Sequence, residues 1–164
     1  MLKPCYEIFR YFTFMNDRKK YLLETVPQLL STLSNEHEPK FGIMSAQHMV
    51  EHLIWVTKSS VKNYGPAPEE LTTGQQRFMK FIDNGAKFEH RPKDQKREDL
   101  DPPRMADISA AIDEIPNAIA RLYQHTEDHV FFNPMMGKLT FEQMEIMHAS
   151  HFKWHLEEQF NLSV

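Results

Sequence analysis

The chain has 164 residues, of which 41 % are hydrophobic and 12 % aromatic, enough to build one domain around a continuous core. Its formal charge of −4 argues against nucleic-acid binding, and its apolar stretches are far shorter than the ~20 residues of a membrane span. The single cysteine, Cys5, cannot form an internal disulfide and indicates the reducing cytoplasm. We therefore expect one cytoplasmic domain over residues 1–164, with neither a nucleic-acid nor a membrane partner.

Only five glycines occur, and helix-forming residues are plentiful, which predicts an all-α fold. Helical spacing of apolar residues predicts a first long helix over 17–33 and a second from Ala46 to about Tyr64. A shorter helix is predicted over 73–84. The charged, proline-containing stretch from Ala86 to Arg104 is expected to be an extended surface connection.

A third long helix is predicted over 105–128, followed by a loop over 130–139. Thr140 is placed to cap a last helix from Phe141 to about Phe160. Four long amphipathic helices are typical of a four-helix bundle, here with one short extra helix and a long charged connection between the second and third long helices.

Residues 147–155, MHASHFKWH, place His148, His151 and His155 on the apolar face of the last helix. His151 and His155 are four residues apart, so both can reach one ion. Catalytic zinc sites commonly use three protein ligands and keep a position for water or substrate. The third ligand must come from another helix, where His52 is the best candidate and His48 the reserve. His148 is then a neighbour that orients a ligand or relays a proton.

Simpler explanations exist for these histidines. An inward histidine is more often a hydrogen-bonded core residue than a ligand, and four-residue spacing also occurs at His48/His52 and His125/His129. Di-iron sites are disfavoured because inward carboxylates are missing from the partner helices and only one Glu-x-x-His motif, Glu145 to His148, is found. Trp55 is expected in the interior rather than in a pocket wall.

Three neutral imidazoles would leave the full double charge on a bound ion, which strongly acidifies a bound water or thiol. Zinc suits three imidazoles in a tetrahedral site, and nickel would also fit. The expected partner is a small electrophilic molecule, together with a low-molecular-weight thiol if the reaction is a thiol transfer.

The other class of function is a non-catalytic helical protein that acts by dimerisation or partner binding, with a vestigial or absent metal site. The second helix has apolar residues on both sides, which favours a homodimer: Val50, Ile54 and Val61 lie opposite Met49 and Val56.

Two blocks, MSAQHMVEHL at 44–53 and NPMMGKLTFEQMEIMHASHFKWHLEEQF at 133–160, resemble the DinB/YfiT-like superfamily of metal-binding four-helix bundles, and within it an uncharacterised branch. The resemblance implies a three-histidine site that falls here on His52, His151 and His155. Trp154 stands where the superfamily commonly has a further histidine, which alters the pocket wall. The resemblance also implies relatives that are metal-dependent transferases or isomerases using thiols such as bacillithiol, mycothiol or glutathione.

Overall fold

The computed structural model describes residues 17–90 and 94–164, so Cys5 lies outside the described residues. These residues are mostly helical, with one small two-stranded sheet. In chain order, the π-helical segment Tyr21–Thr25 continues into α1 (Val26–Ser31), followed by α2 (Ala46–Ser60), α3 (Thr73–Asp83), α4 (Ile108–Leu122), β1 (Val130–Asn133), β2 (Gly137–Thr140), α5 (Phe141–Lys153) and the π-helical segment Trp154–Gln159. None of the helices in the described part is long and apolar enough to cross a membrane.

Side-chain caps define where the helices begin. The Ser45 side chain accepts from the His48 amide at the start of α2, and Thr140 forms a capping box with Gln143 at the start of α5. The third long helix is shorter than predicted: α4 begins at Ile108, where the Asp107 side chain caps it, and it ends at Leu122. α2 likewise ends at Ser60, before the predicted end at Tyr64.

The predicted loop over 130–139 is wrong in part, since it contains an antiparallel hairpin in which Asn133 pairs with Gly137. The Asn133 carboxamide oxygen accepts from the amides of Met135 and Met136 and so holds the turn. Gly137 has a φ of +88°, and a Cβ there would lie 3.0 Å from the Met79 sulfur. The all-α expectation therefore needs this correction, because two four-residue strands are too short to show a clear alternation in the sequence.

The connection from Ala86 to Arg104 is only partly the extended surface segment that was predicted. Ala86 is buried, and the Phe88 ring packs edge-on against Phe81 with centroids 5.1 Å apart. Further along, the Arg97 side chain donates to the Ile43 carbonyl from a short 3₁₀ turn. The beginning of this connection thus belongs to the core that surrounds the histidines.

Both apolar sides of α2 are buried inside the chain. One hydrophobic cluster joins α1, α2, α4 and the last helix, which consists of α5 and the π-helical segment Trp154–Gln159. From α2 it contains Met49, Val50, Leu53 and Ile54. α2 packs along α4, which also contacts α1, and the last helical segment contacts α1. The second apolar side of α2 is therefore accounted for by packing within the chain.

Candidate metal centre

Three predicted ligands come together between α2 and the last helix. The His151 Nε2 atom lies 3.3 Å from Nε2 of His52 and 3.1 Å from Nε2 of His155, and the ligand atoms of the three residues all lie within 4.8 Å of one another. Ligand nitrogens at about 2.0–2.1 Å from a tetrahedral zinc are separated by about 3.3 Å. The two short separations match this value, so the group could hold a metal ion.

Burial keeps these imidazoles neutral. It lowers the pKa of His155 to about 3 and lowers the pKa of His52 below its ordinary value. Burial also brings the pKa of His151 well below its ordinary value, and the neighbouring His155 adds to this effect. At neutral pH the three rings therefore offer lone pairs rather than positive charges, which is the protonation state that metal binding requires.

Gln159, one turn after His155, fixes the tautomer of that histidine. The Gln159 amide nitrogen donates to the Phe41 carbonyl at 2.9 Å, so its oxygen is left to accept from Nδ1 of His155 at 2.6 Å. With the proton on Nδ1, the Nε2 lone pair of His155 points to the other two rings. A Cβ at Gly42, whose φ is +81°, would meet the Gln159 nitrogen at 2.8 Å, so the chain approaches this side chain closely.

Sequence reasoning missed Gln159, although its spacing of four from His155 on the same helix was a usable signal. His155 and Gln159 both lie in the π-helical segment Trp154–Gln159, where the Phe160 amide donates to the His155 carbonyl. Short π-helical segments occur frequently at functional sites.

Aromatic rings cover the outer side of the histidines. Phe88 packs against the His151 ring with centroids 5.0 Å apart, and Trp154 meets the His155 ring edge-on at 4.6 Å. The Trp154 ring also lies against Phe41 at 5.4 Å. This wall limits the access of water, which strengthens electrostatic interactions at the site.

His148 points to a different partner. Its Nε2 lies 2.7 Å from the Ser60 hydroxyl, which itself donates to the Thr57 carbonyl at 2.8 Å. The hydroxyl proton is used there, so His148 must donate from Nε2, and its Nδ1 has no hydrogen-bond partner among the described residues. Both residues are buried, and burial lowers the pKa of His148 to about 3.

His48, the reserve ligand, faces the connection that precedes α4. Its Nδ1 lies 2.7 Å from the Ser45 hydroxyl, and its Nε2 donates to the Asp101 carbonyl at 3.1 Å. Both ring nitrogens are therefore engaged away from the other three histidines.

Carboxylates do not join this cluster in the part of the chain that the structure describes. Glu145, in the motif considered for a di-iron site, accepts from the Tyr123 hydroxyl at 2.9 Å, and burial raises its pKa. His125 and His129 stack on each other at 4.3 Å and pack against Phe131. The arrangement thus favours a mononuclear site over a di-iron site.

Two cavities border the cluster. One of about 420 Å³ has His52 and His151 in its wall, and another of about 390 Å³ has His48 and His52. Trp55 lines both, and because its side chain is 58 % exposed, the expectation that it lies in the interior is wrong. A larger cavity of about 960 Å³ between α2 and α4 contains none of the three clustered histidines.

Comparison with known proteins gives one family. The model of the family described as "Protein of unknown function (DUF1569)" matches residues 18–161. Neither the curated proteins nor the solved structures contain a significant match.

The assignment to the DinB/YfiT-like superfamily is wrong, because the family model that covers nearly the whole chain is a different one. The two blocks behind that assignment consist mainly of amphipathic helix with histidines four residues apart. Helix geometry alone favours this spacing wherever two side chains must reach one point, so it carries little information about ancestry. The chain belongs to the DUF1569 family, whose members are described as proteins of unknown function.

Proposed function

We propose that this protein binds a single divalent metal ion through His52, His151 and His155 and uses it to activate a water or a thiol. The observation that carries the proposal is the convergence of three buried imidazoles, two of whose nitrogen separations match a tetrahedral zinc site. Zinc suits this donor set best, because it prefers tetrahedral sites with imidazole ligands. Nickel would also fit, because imidazole binds it as well.

The electrostatics of the cluster support the proposal. The Gln159 contact holds the proton of His155 on Nδ1, so Nε2 of that ring presents a lone pair to the other two rings. Burial lowers the pKa of His151 and His155, so a charged imidazolium is disfavoured here. A divalent cation would be held by three Nε2 lone pairs once His52 and His151 also carry their protons on Nδ1.

The chemistry follows from the donor set and the cavity. Three neutral ligands leave the positive charge of an ion undiminished, so a bound water or thiol would lose its proton near neutral pH. A small electrophilic substrate in the cavity beside His52 and His151 would lie next to that nucleophile. This arrangement fits a metal-dependent hydrolase or thiol transferase acting on a small molecule.

His148 and His48 support the site in this proposal without binding the ion. The His148–Ser60 hydrogen bond ties α5 to α2, and the His48–Asp101 hydrogen bond ties α2 to the connection before α4. We infer that the scaffold is a four-helix bundle of α1, α2, α4 and the last helix. It is supported by the packing of α4 on both α1 and α2 and of the last segment on α1.

Metal content tests the proposal directly. Protein without a histidine tag is loaded with Zn²⁺, passed through a desalting column and analysed for bound metal by mass spectrometry, alongside the His151→Ala and His129→Ala variants. We expect one ion per chain in the unchanged protein and in His129→Ala, which loses an exposed histidine, and none in His151→Ala. Equal metal content in all three proteins, or none in any, would overturn the site.

A non-catalytic binding protein is the second candidate, favoured by the exposure of Trp55 and Met135, both large apolar side chains at one cavity. In that case the chelator EDTA would leave the melting temperature unchanged, because no ion would contribute to stability. A melting temperature lowered by EDTA, with a monomeric elution volume in gel filtration, would favour the metal centre instead.

A further inference from the structure

The cavity beside His52 and His151 has an unusual lining for a site next to a metal centre. Most of its wall is sulfur, ring or aliphatic carbon, supplied by Trp55, Phe78, Phe88, Met135, Met136 and Met147. No Lys, Arg, Asp or Glu side chain among the described residues lines it. Its volume of about 420 Å³ is within the usual range of about 300–1,000 Å³ for small-molecule sites.

The polar residues of this wall are largely occupied. Asn133 uses its oxygen for the amides of Met135 and Met136, and its nitrogen donates to the Ser59 carbonyl at 3.3 Å. The Ser59 hydroxyl donates to the Val56 carbonyl at 3.2 Å. Apart from the Tyr64 hydroxyl and the Trp55 indole N–H, the side-chain polar groups left for a ligand are therefore those of the two histidines.

The second cavity contrasts with the first in charge. It shares His52 and Trp55 with the first but is also lined by Glu51, Asp101 and Arg104. Charged side chains thus line one of the two cavities that share Trp55 and not the other. In the metal-free protein, a charged ligand in the apolar cavity would lose its hydration without gaining an ionic partner, which is strongly unfavourable.

We propose that the apolar cavity binds an uncharged, mainly aromatic or aliphatic small molecule, with its one polar group directed to the histidines. This assignment rests on the proposed metal centre for the role of that polar group, but the selection for an uncharged body depends on the cavity wall alone. The substrate class is therefore a compact neutral electrophile, and the wall of this cavity offers no cationic side chain to an anionic peptide thiol such as glutathione. Methionines in the wall adapt to ligands of different shape.

Two fluorinated probes of similar size test this selection: neutral 4-fluorobenzyl alcohol and anionic 4-fluorobenzoate. Their binding to the metal-free protein is measured by fluorine NMR line broadening. We expect the alcohol to bind about tenfold more tightly, because the carboxylate must be desolvated in a cavity without a cation. Equal affinities, or tighter binding of the benzoate, would overturn the proposal.

A pair of matched variants locates the binding. Met135→Glu places a carboxylate in the cavity wall at a side chain that is 74 % exposed, and Val164→Glu makes the same change at a side chain that is 76 % exposed and far from it in the chain. Neither change removes a buried group, so both variants are expected to fold. We expect severalfold weaker binding of the alcohol to Met135→Glu and unchanged binding to Val164→Glu; equal binding to both would place the probe elsewhere.

Loading with Co²⁺ tests ligand binding in the cavity and metal binding at the histidines as two separate questions. In Co²⁺-loaded protein, the fluorine signal of the bound alcohol should broaden further, because a paramagnetic ion at the histidines lies beside the cavity. Absence of bound cobalt would contradict the metal centre while the metal-free titrations still decide the cavity. Bound cobalt without this extra broadening would show that the probe does not lie beside the histidines and would overturn its assignment to this cavity.

Discussion

His148 and the pair His151/His155 are buried on the same helical face, yet they serve different arrangements. All three have pKa values lowered by burial. His148 donates to the Ser60 hydroxyl, whereas His151 faces the ring nitrogens of His52 and His155. The three histidines are therefore alike in burial and in helical spacing. They differ in the residue that faces them from α2, which is Ser60 for His148 and His52 for His151.

The two opposing residues on α2, His52 and Ser60, are eight positions apart, which is about 12 Å along a helix. The Ser60 hydroxyl gives its proton to a backbone carbonyl and accepts the His148 proton, so this pair forms a complete hydrogen bond. Where His52 stands opposite, each contact joins two ring nitrogens, and Nε2 of His155 carries a lone pair because its proton is on Nδ1. The first arrangement stabilises the core, and the second is suited to a cation.

The largest expected difference between the two arrangements is in the response to truncation at His148. His148→Ala should lower the free energy of unfolding by about 2–4 kcal/mol, because it leaves a cavity and removes the donor to Ser60. Its zinc content should stay at the level of the unchanged protein. Urea unfolding of the metal-free proteins and metal analysis of the loaded ones measure the two effects. Loss of zinc in this variant, without loss of structure by circular dichroism, would make His148 a ligand.

Substitution of Gln159 tests the second arrangement, the cluster of His52, His151 and His155. Gln159→Leu removes the acceptor that holds the proton on Nδ1 of His155, and loss of such outer partners typically weakens metal binding about 10–100-fold. A competition titration with a zinc-binding dye measures this change.

Gln143→Leu is the matched control for Gln159→Leu, because Gln143 also bonds one near residue, Thr140, and one distant residue, Asp83, but lies in the first turn of α5. It should leave the zinc affinity unchanged. Equal weakening in both variants would mean that the loss reflects helix stability rather than the orientation of His155.

The sequence was sufficient to predict the helices and the three clustered histidines, because both depend on local periodicity. Apolar residues repeat at helical spacing after the two capping residues, Ser45 and Thr140. The pair His151/His155 needs only one turn of helix. His52 could be selected because it lies on the inward face of α2. These features follow from one helix at a time.

What the sequence could not provide depends on contacts between distant segments. The Gln159–Phe41 hydrogen bond spans 118 positions, and the His148–Ser60 bond spans 88. The packing of Phe88 on His151 required the charged connection to fold back over the site, which its composition did not indicate. The hairpin was missed because its strands are only four residues long.

The pH dependence of stability tests both arrangements together, because both act in the same direction. The folded-state pKa of His148 and of His155 is about 3, below the ordinary value of about 6.5 in an unfolded chain. The unfolded state therefore binds protons first, and the stability present above about pH 6.5 is lost as the pH falls towards 3. Each such histidine adds a slope of at most about 1.4 kcal/mol per pH unit.

Urea unfolding of the metal-free protein between pH 7.5 and pH 5 measures this slope above the range in which most carboxylates titrate. Glu145 acts in the opposite direction, because burial raises its pKa and the folded state then takes up its proton more readily. His148→Phe, which keeps a ring in the core but cannot be protonated, should reduce the slope without abolishing it, since the three clustered histidines remain. A stability that does not change over this range would mean that the histidines are hydrated and charged in the folded protein, and the lone pairs proposed to hold the metal would not be available.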